Sequence, residues 1–137
     1  MTNTIWIIDD ESEARAISEE LGGNSELQIR TATTYLEVLD LCRKIITAPP
    51  DIIILDITMS EIDSLAVYNW LIENGITYRT PIIVIASESS SRDSAVPRLG
   101  IARTVWKDRI APGELISIVR EVLGEFAPRN GQSVSDR

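Results

Sequence analysis

Three short apolar runs constrain the fold more than any other feature: Ile5-Trp6-Ile7-Ile8, Ile52-Ile53-Ile54-Leu55 and Ile82-Ile83-Val84-Ile85-Ala86. Each is rich in β-branched residues and apolar at every position rather than at alternate ones. A strand of that kind must be covered on both faces, as the inner strands of a parallel sheet are. The runs are far too short to cross a membrane, which takes about 20 residues. Two weaker strands are expected at Leu27–Ala32, which alternates, and at Ala102–Trp106; either suits a sheet edge or a second strand.

Helical stretches separate the strands. Ser12 to Leu21 ends at Gly22-Gly23, and Tyr35 to Thr47 is stopped by Pro49-Pro50 and is expected to bury Tyr35, Leu39, Cys42 and Ile46. Ser64 to Asn74 carries Leu65, Tyr68, Leu71 and Ile72, and Gly113 to Leu123 carries Leu115, Val119 and Val122. Ser89 to Leu99 completes the alternation, with a break expected at Val96 because Pro97 cannot donate a helical hydrogen bond. Strand followed by helix, five times over, builds an open parallel sheet with helices on both faces. Residues 1–124 read as one domain and 125–137 as a flexible tail or truncated linker.

With 13 basic and 21 acidic residues the net charge is −8, the wrong sign for direct nucleic-acid binding. Histidine is absent, which removes imidazole bases, His-activated nucleophiles and His-ligated zinc together. The single cysteine, Cys42, has no internal partner, and the N-terminus lacks the basic and apolar regions of a signal peptide, so a soluble, cytoplasmic protein is expected.

Chemistry must then run on carboxylates, hydroxyls and lysine. Ligands of open α/β sheets bind beyond the carboxyl ends of the strands, where the strand order reverses. Asp9-Asp10 follows the first strand and Asp56 ends the third; in the order 2-1-3-4-5 these strands are neighbours, and Lys107 follows the fifth. Two carboxylates about 4 Å apart repel by roughly 4 kcal/mol at an effective dielectric of 20, so the cluster calls for a cation and should raise the pKa of at least one acid. Oxygen-only ligands favour a hard ion, and Mg²⁺ with retained waters suits two or three carboxylates. A metal-neutralised carboxylate beside a lysine is suited to attack on a phosphoryl group. Glu11, Glu13, Glu19 and Glu20 are expected on an exposed acidic face.

The chain resembles the receiver domains of two-component response regulators over residues 4–124. The resemblance rests on Asp9-Asp10, the segment Asp51–Met59 with Asp63, the Pro81-led fourth strand, and Gly100 seven residues before Lys107. It implies a flavodoxin-like doubly wound (βα)5 fold. It also implies that Asp56 takes a phosphoryl group from a histidine kinase or phosphotransfer protein acting in trans. Asp10, Asp56 and the Thr58 backbone carbonyl would ligate Mg²⁺, Asp9 would hold a metal-bound water, and Lys107 would pair with a phosphoryl oxygen.

This sequence departs from the family pattern in several places. Ser60 and Ser64 stand in the loop after Asp56, Asp108 follows the lysine where a cis proline is usual, and Thr104 occupies the aromatic switch position beside Trp106. The family's phosphate-sensing hydroxyl falls either on Ala86, which has none, or on Ser87, one position late. Two function classes therefore stand: a phosphorylatable switch, or a receiver-like binding module that signals without phosphorylation. An aspartyl phosphatase needs a second Asp two residues after the nucleophile, where Thr58 stands. The resemblance implies no enzyme activity beyond self-phosphoryl transfer and autodephosphorylation. It further implies an unknown output partner and a monomer or weak homodimer.

Overall fold

Continuous apolar strands have two faces to hide, and the molecule hides them between two helical layers. The computed structural model describes residues 2–59, 62–87 and 100–135. In chain order they form β1 (Asn3–Ile8), α1 (Glu11–Gly22), β2 (Leu27–Ala32), α2 (Tyr35–Lys44), β3 (Ile52–Asp56), α3 (Ser64–Glu73), β4 (Ile82–Ala86), β5 (Ile101–Trp106) and α4 (Glu114–Ser135). All strand pairs are parallel and the order is β2-β1-β3-β4-β5, the flavodoxin-like arrangement expected from the sequence. The expected helix Ser89–Leu99, with its break at Val96, and Ser60 lie outside the described residues.

Period-two alternation divides each inner strand between two cores. Trp6, Ile8, Ile53, Leu55, Ile82 and Val84 meet Val38 and Leu41 of α2 and Val67, Tyr68 and Leu71 of α3. Ile5, Ile7, Ile52, Ile54, Ile83 and Ile85 meet Ala14, Ile17 and Leu21 of α1 and Leu115, Val119 and Val122 of α4. Each fully buried isoleucine contributes about 1.5–3 kcal/mol, so these two layers dominate the stability. The two weaker strands, β2 and β5, lie at the sheet edges.

Side-chain oxygens cap the helices where the strands hand over to them. Asp10 accepts from the Glu13 amide (3.0 Å), Thr34 from Glu37 (3.2 Å) and Asp63 from Ala66 (3.1 Å). Two details differ from the sequence reading. Helix α2 buries Val38, Leu41 and Ile45, whereas Tyr35 and Ile46 are 61% and 73% exposed and Cys42 is half-buried. The backbone of α4 continues past Leu123 to Ser135, because a helix once nucleated by packing propagates at little cost.

Candidate functional site

The reversal of strand order between β1 and β3 places two chain segments, some 46 residues apart in sequence, side by side. Asp9 leaves the end of β1, Asp10 caps α1, and Asp56 is the last residue of β3. One carboxylate oxygen from each lies within 4.8 Å of the other two. Asp9 and Asp56 are buried and Asp10 is half-buried. The Asp10 amide donates to Asp9 Oδ1 (2.7 Å), while Asp9 Oδ2 is buried with no donor to satisfy it.

Lys107 enters from the other side. Its amide donates to the Ala86 carbonyl (2.9 Å), prolonging the β4–β5 pairing by one residue, and the Arg109 amide closes a turn onto Trp106. The Lys107–Asp108 peptide is trans, and the bond to Ala86 holds the Lys107 main chain at the end of the sheet. Its Nζ donates to Asp56 Oδ2 at 2.7 Å and lies 3.2 Å from Glu13 Oε1. The other Asp56 oxygen, Oδ1, accepts from both the amide (2.7 Å) and the hydroxyl (2.6 Å) of Thr58. Ser64 Oγ donates to the Asp56 carbonyl (2.6 Å) and pins the end of β3 to the start of α3.

This geometry sets the charge states. Burial, reinforced by the adjacent Asp56 carboxylate, pushes the Asp9 carboxyl up to about 8, against the weaker pull of Lys107 and the Asp10 amide. Burial also disfavours the Asp56 anion. The protonated Asp9 carboxyl beside it, and hydrogen bonds from Lys107 and from Thr58, outweigh it and leave Asp56 below the ordinary carboxylate range. Burial opposes the Lys107 charge as well, but Asp56, Asp9 and Glu13 hold the ammonium above its usual pKa. The metal-free site therefore keeps Asp56 ionised, Lys107 charged and a proton on Asp9. An unsatisfied buried oxygen among three hard donors suits a divalent cation that would displace that proton.

The structure thus brings together Asp9, Asp10, Asp56, Thr58 and Lys107. Ser87 sits just past β4, and its Oγ lies 3.3 Å from Asp108 Oδ2; Ala86, buried, pairs with Trp106. Thr104 is exposed. Sequence reasoning missed three participants. Glu13, expected on an exposed face, is half-buried against Lys107, and its spacing of three from Asp10 was the available signal. The Thr58 hydroxyl and Ser64 carried no signal of their own.

The family model for the response regulator receiver domain matches residues 5–120. The polar-differentiation response regulator DivK of Brucella ovis is 25% identical over 125 residues, covering 91% of this chain and 99% of the relative. Among solved structures, a response regulator receiver protein from Burkholderia phymatum superposes with a TM-score of 0.70 at 25% identity, covering 90% of this chain and 96% of that one. The receiver domain of Francisella response regulator 1452 gives 0.71 at 22% identity, covering 90% and 98%. Fold, acid cluster and family model converge, and the chain belongs to the response regulator receiver domain family.

Proposed function

We propose that Asp56 accepts a phosphoryl group from a histidine kinase or phosphotransfer protein in a Mg²⁺-dependent reaction, and that the modification changes affinity for an output partner. The observation that carries this reading is the pairing of Lys107 Nζ with the buried Asp56 Oδ2 beside the unsatisfied Asp9 Oδ2. An Asp56 oxygen attacks phosphorus; the bond from phosphorus to the donor imidazole nitrogen breaks, and its electron pair stays on that nitrogen, which is protonated. Thr58 holds Oδ1 throughout, and Lys107 moves its hydrogen bond from Oδ2 to a phosphoryl oxygen. Asp10, Asp56 and the Thr58 carbonyl would hold Mg²⁺ with Asp9 on one of its waters, and the ion supplies positive charge against the gathered anions. The one further reaction is hydrolysis, in which water attacks phosphorus and the bond from phosphorus to the Asp56 oxygen breaks, releasing inorganic phosphate and the carboxylate.

Residues 1–124 are the receiver unit and 125–137 lead away from it, in a cytoplasmic protein that is monomeric or weakly dimeric. The net charge of −8 argues against direct nucleic-acid binding, and among the described residues no helix is long and apolar enough to cross a membrane. A second reading, a binding module that signals without phosphorylation, draws support from Ala86 and Thr104, which offer neither hydroxyl nor aromatic ring at the positions the family uses. In the phosphorylatable reading, Ser87 supplies the hydroxyl that contacts the phosphoryl group. Fluoroberyllate, a phosphoryl mimic, separates the readings. Bound fluorine signals in ¹⁹F NMR that require Mg²⁺ and vanish in Asp56→Asn are expected. Their absence from the wild-type protein favours the binding module.

A further inference from the structure

We propose that Glu13 is a positioning residue that competes with the phosphoryl group for Lys107 and thereby lowers the affinity of the site for phosphoryl anions. This inference rests on the phosphoacceptor reading of Asp56. Lys107 Nζ has two carboxylate partners, Asp56 Oδ2 at 2.7 Å and Glu13 Oε1 at 3.2 Å, which arrive from different elements. Only one of them can become the modified group. When Asp56 is esterified its hydrogen bond to Lys107 is free to pass to a phosphoryl oxygen, whereas Glu13 keeps its full charge and its claim on the ammonium.

The surroundings strengthen that claim. Glu13 and Lys107 line a cleft whose other walls include Ile17, Ile85, Val105 and Leu115, so the pair is partly shielded from water and keeps some exposure. Glu13 is held in place by its own helix, since its amide is the one that caps onto Asp10. Lys107 is likewise fixed at its root by the Ala86 carbonyl. With both ends anchored, the ammonium settles between two anions, and an incoming anion must draw it from Glu13. A partly exposed ion pair of this kind is worth on the order of 1 kcal/mol, which corresponds to about fivefold in affinity.

The test is the fluoroberyllate titration with saturating Mg²⁺, on the full chain. Glu13→Gln, which keeps an acceptor oxygen but not the charge, should bind about fivefold more tightly than wild type. Glu19→Gln, about a third of a turn round α1 from Glu13, exposed and outside that cleft, should bind within twofold of wild type. In a Lys107→Met background Glu13→Gln should lose its effect, because no ammonium remains to compete for. Equal affinity of Glu13→Gln and wild type overturns the proposal. So does a fivefold gain that persists without Lys107, which would mark Glu13 as acting through its field alone. Failure of the wild-type protein to bind fluoroberyllate at all instead overturns the phosphoacceptor reading, so the two failures are distinct.

Discussion

Without divalent cations, the protein should lose stability as the pH rises from 5 to 8. The Asp9 carboxyl stands at about 8 in the folded chain, against an ordinary value near 4 when unfolded. Over the interval between, the folded state holds a proton that the unfolded state has released, so raising the pH favours unfolding. The other two groups do not contribute in this window. Asp56 is displaced downward, so its stabilisation is complete above the ordinary carboxylate range and is lost only on acidification. Lys107 is displaced upward, so its contribution survives until the pH exceeds the ordinary lysine value. The expected loss is on the order of 2–4 kcal/mol, since one unit of displacement corresponds to about 1.4 kcal/mol. Urea unfolding at pH 5, 6, 7 and 8 measures it. Asp9→Asn should be more stable than wild type at pH 8 and show a nearly flat profile. Adding Mg²⁺ should restore wild-type stability most at pH 8, where the proton it displaces is held least tightly, and should do little for Asp9→Asn. A flat wild-type profile in chelator would mean that the acids are not crowded as described.

Gly100→Ala is expected to cost about 2–4 kcal/mol. Gly100 opens the approach to β5 with φ of +74°, in the left-handed region that costs a residue with a Cβ roughly 1–2 kcal/mol. A Cβ there would also stand 3.0 Å from Thr77 Cβ and Cγ2 and from Ile72 Cδ1, against the segment that follows α3. Ile72 can swing its terminal methyl aside, but Thr77 offers a branch point rather than a flexible end, so overpacking adds to the backbone strain. A melting temperature lower by about 5–15 °C should result, with the site affected only through stability. Gly113→Ala is the internal comparison: φ is also positive there, but nothing lies within 4 Å of an added Cβ, so its cost should be smaller.

The sheet was legible because its inner strands are apolar on both faces, a pattern that few other environments reward. Their phase was not legible for the same reason: Ile5 and Trp6 look alike in sequence, yet they belong to opposite cores. Helix α2 shows the same limit. Tyr35, Leu39, Cys42 and Ile46 obey helical spacing as well as Val38, Leu41 and Ile45 do, and the two stripes differ by roughly a quarter turn. Only the position of the sheet decides between them. At the site, Asp9, Asp10, Asp56 and Lys107 could be placed together from strand ends and topology. Thr58, Ser64 and Glu13 act through contacts that depend on loop path and helix rotation, neither of which is written in residue type. The lysine is instructive in another way. Asp108 replaces the expected proline, and the structure reaches Asp56 through a trans peptide guided by the Ala86 carbonyl.

The role of Asp56 is tested most directly by intact-mass spectrometry after incubation with acetyl phosphate and Mg²⁺. One added phosphoryl group is expected on the wild-type chain, none in Asp56→Asn, and none when Mg²⁺ is removed by chelation. A wild-type mass that does not change, or a phosphoryl group that persists in Asp56→Asn, would contradict it.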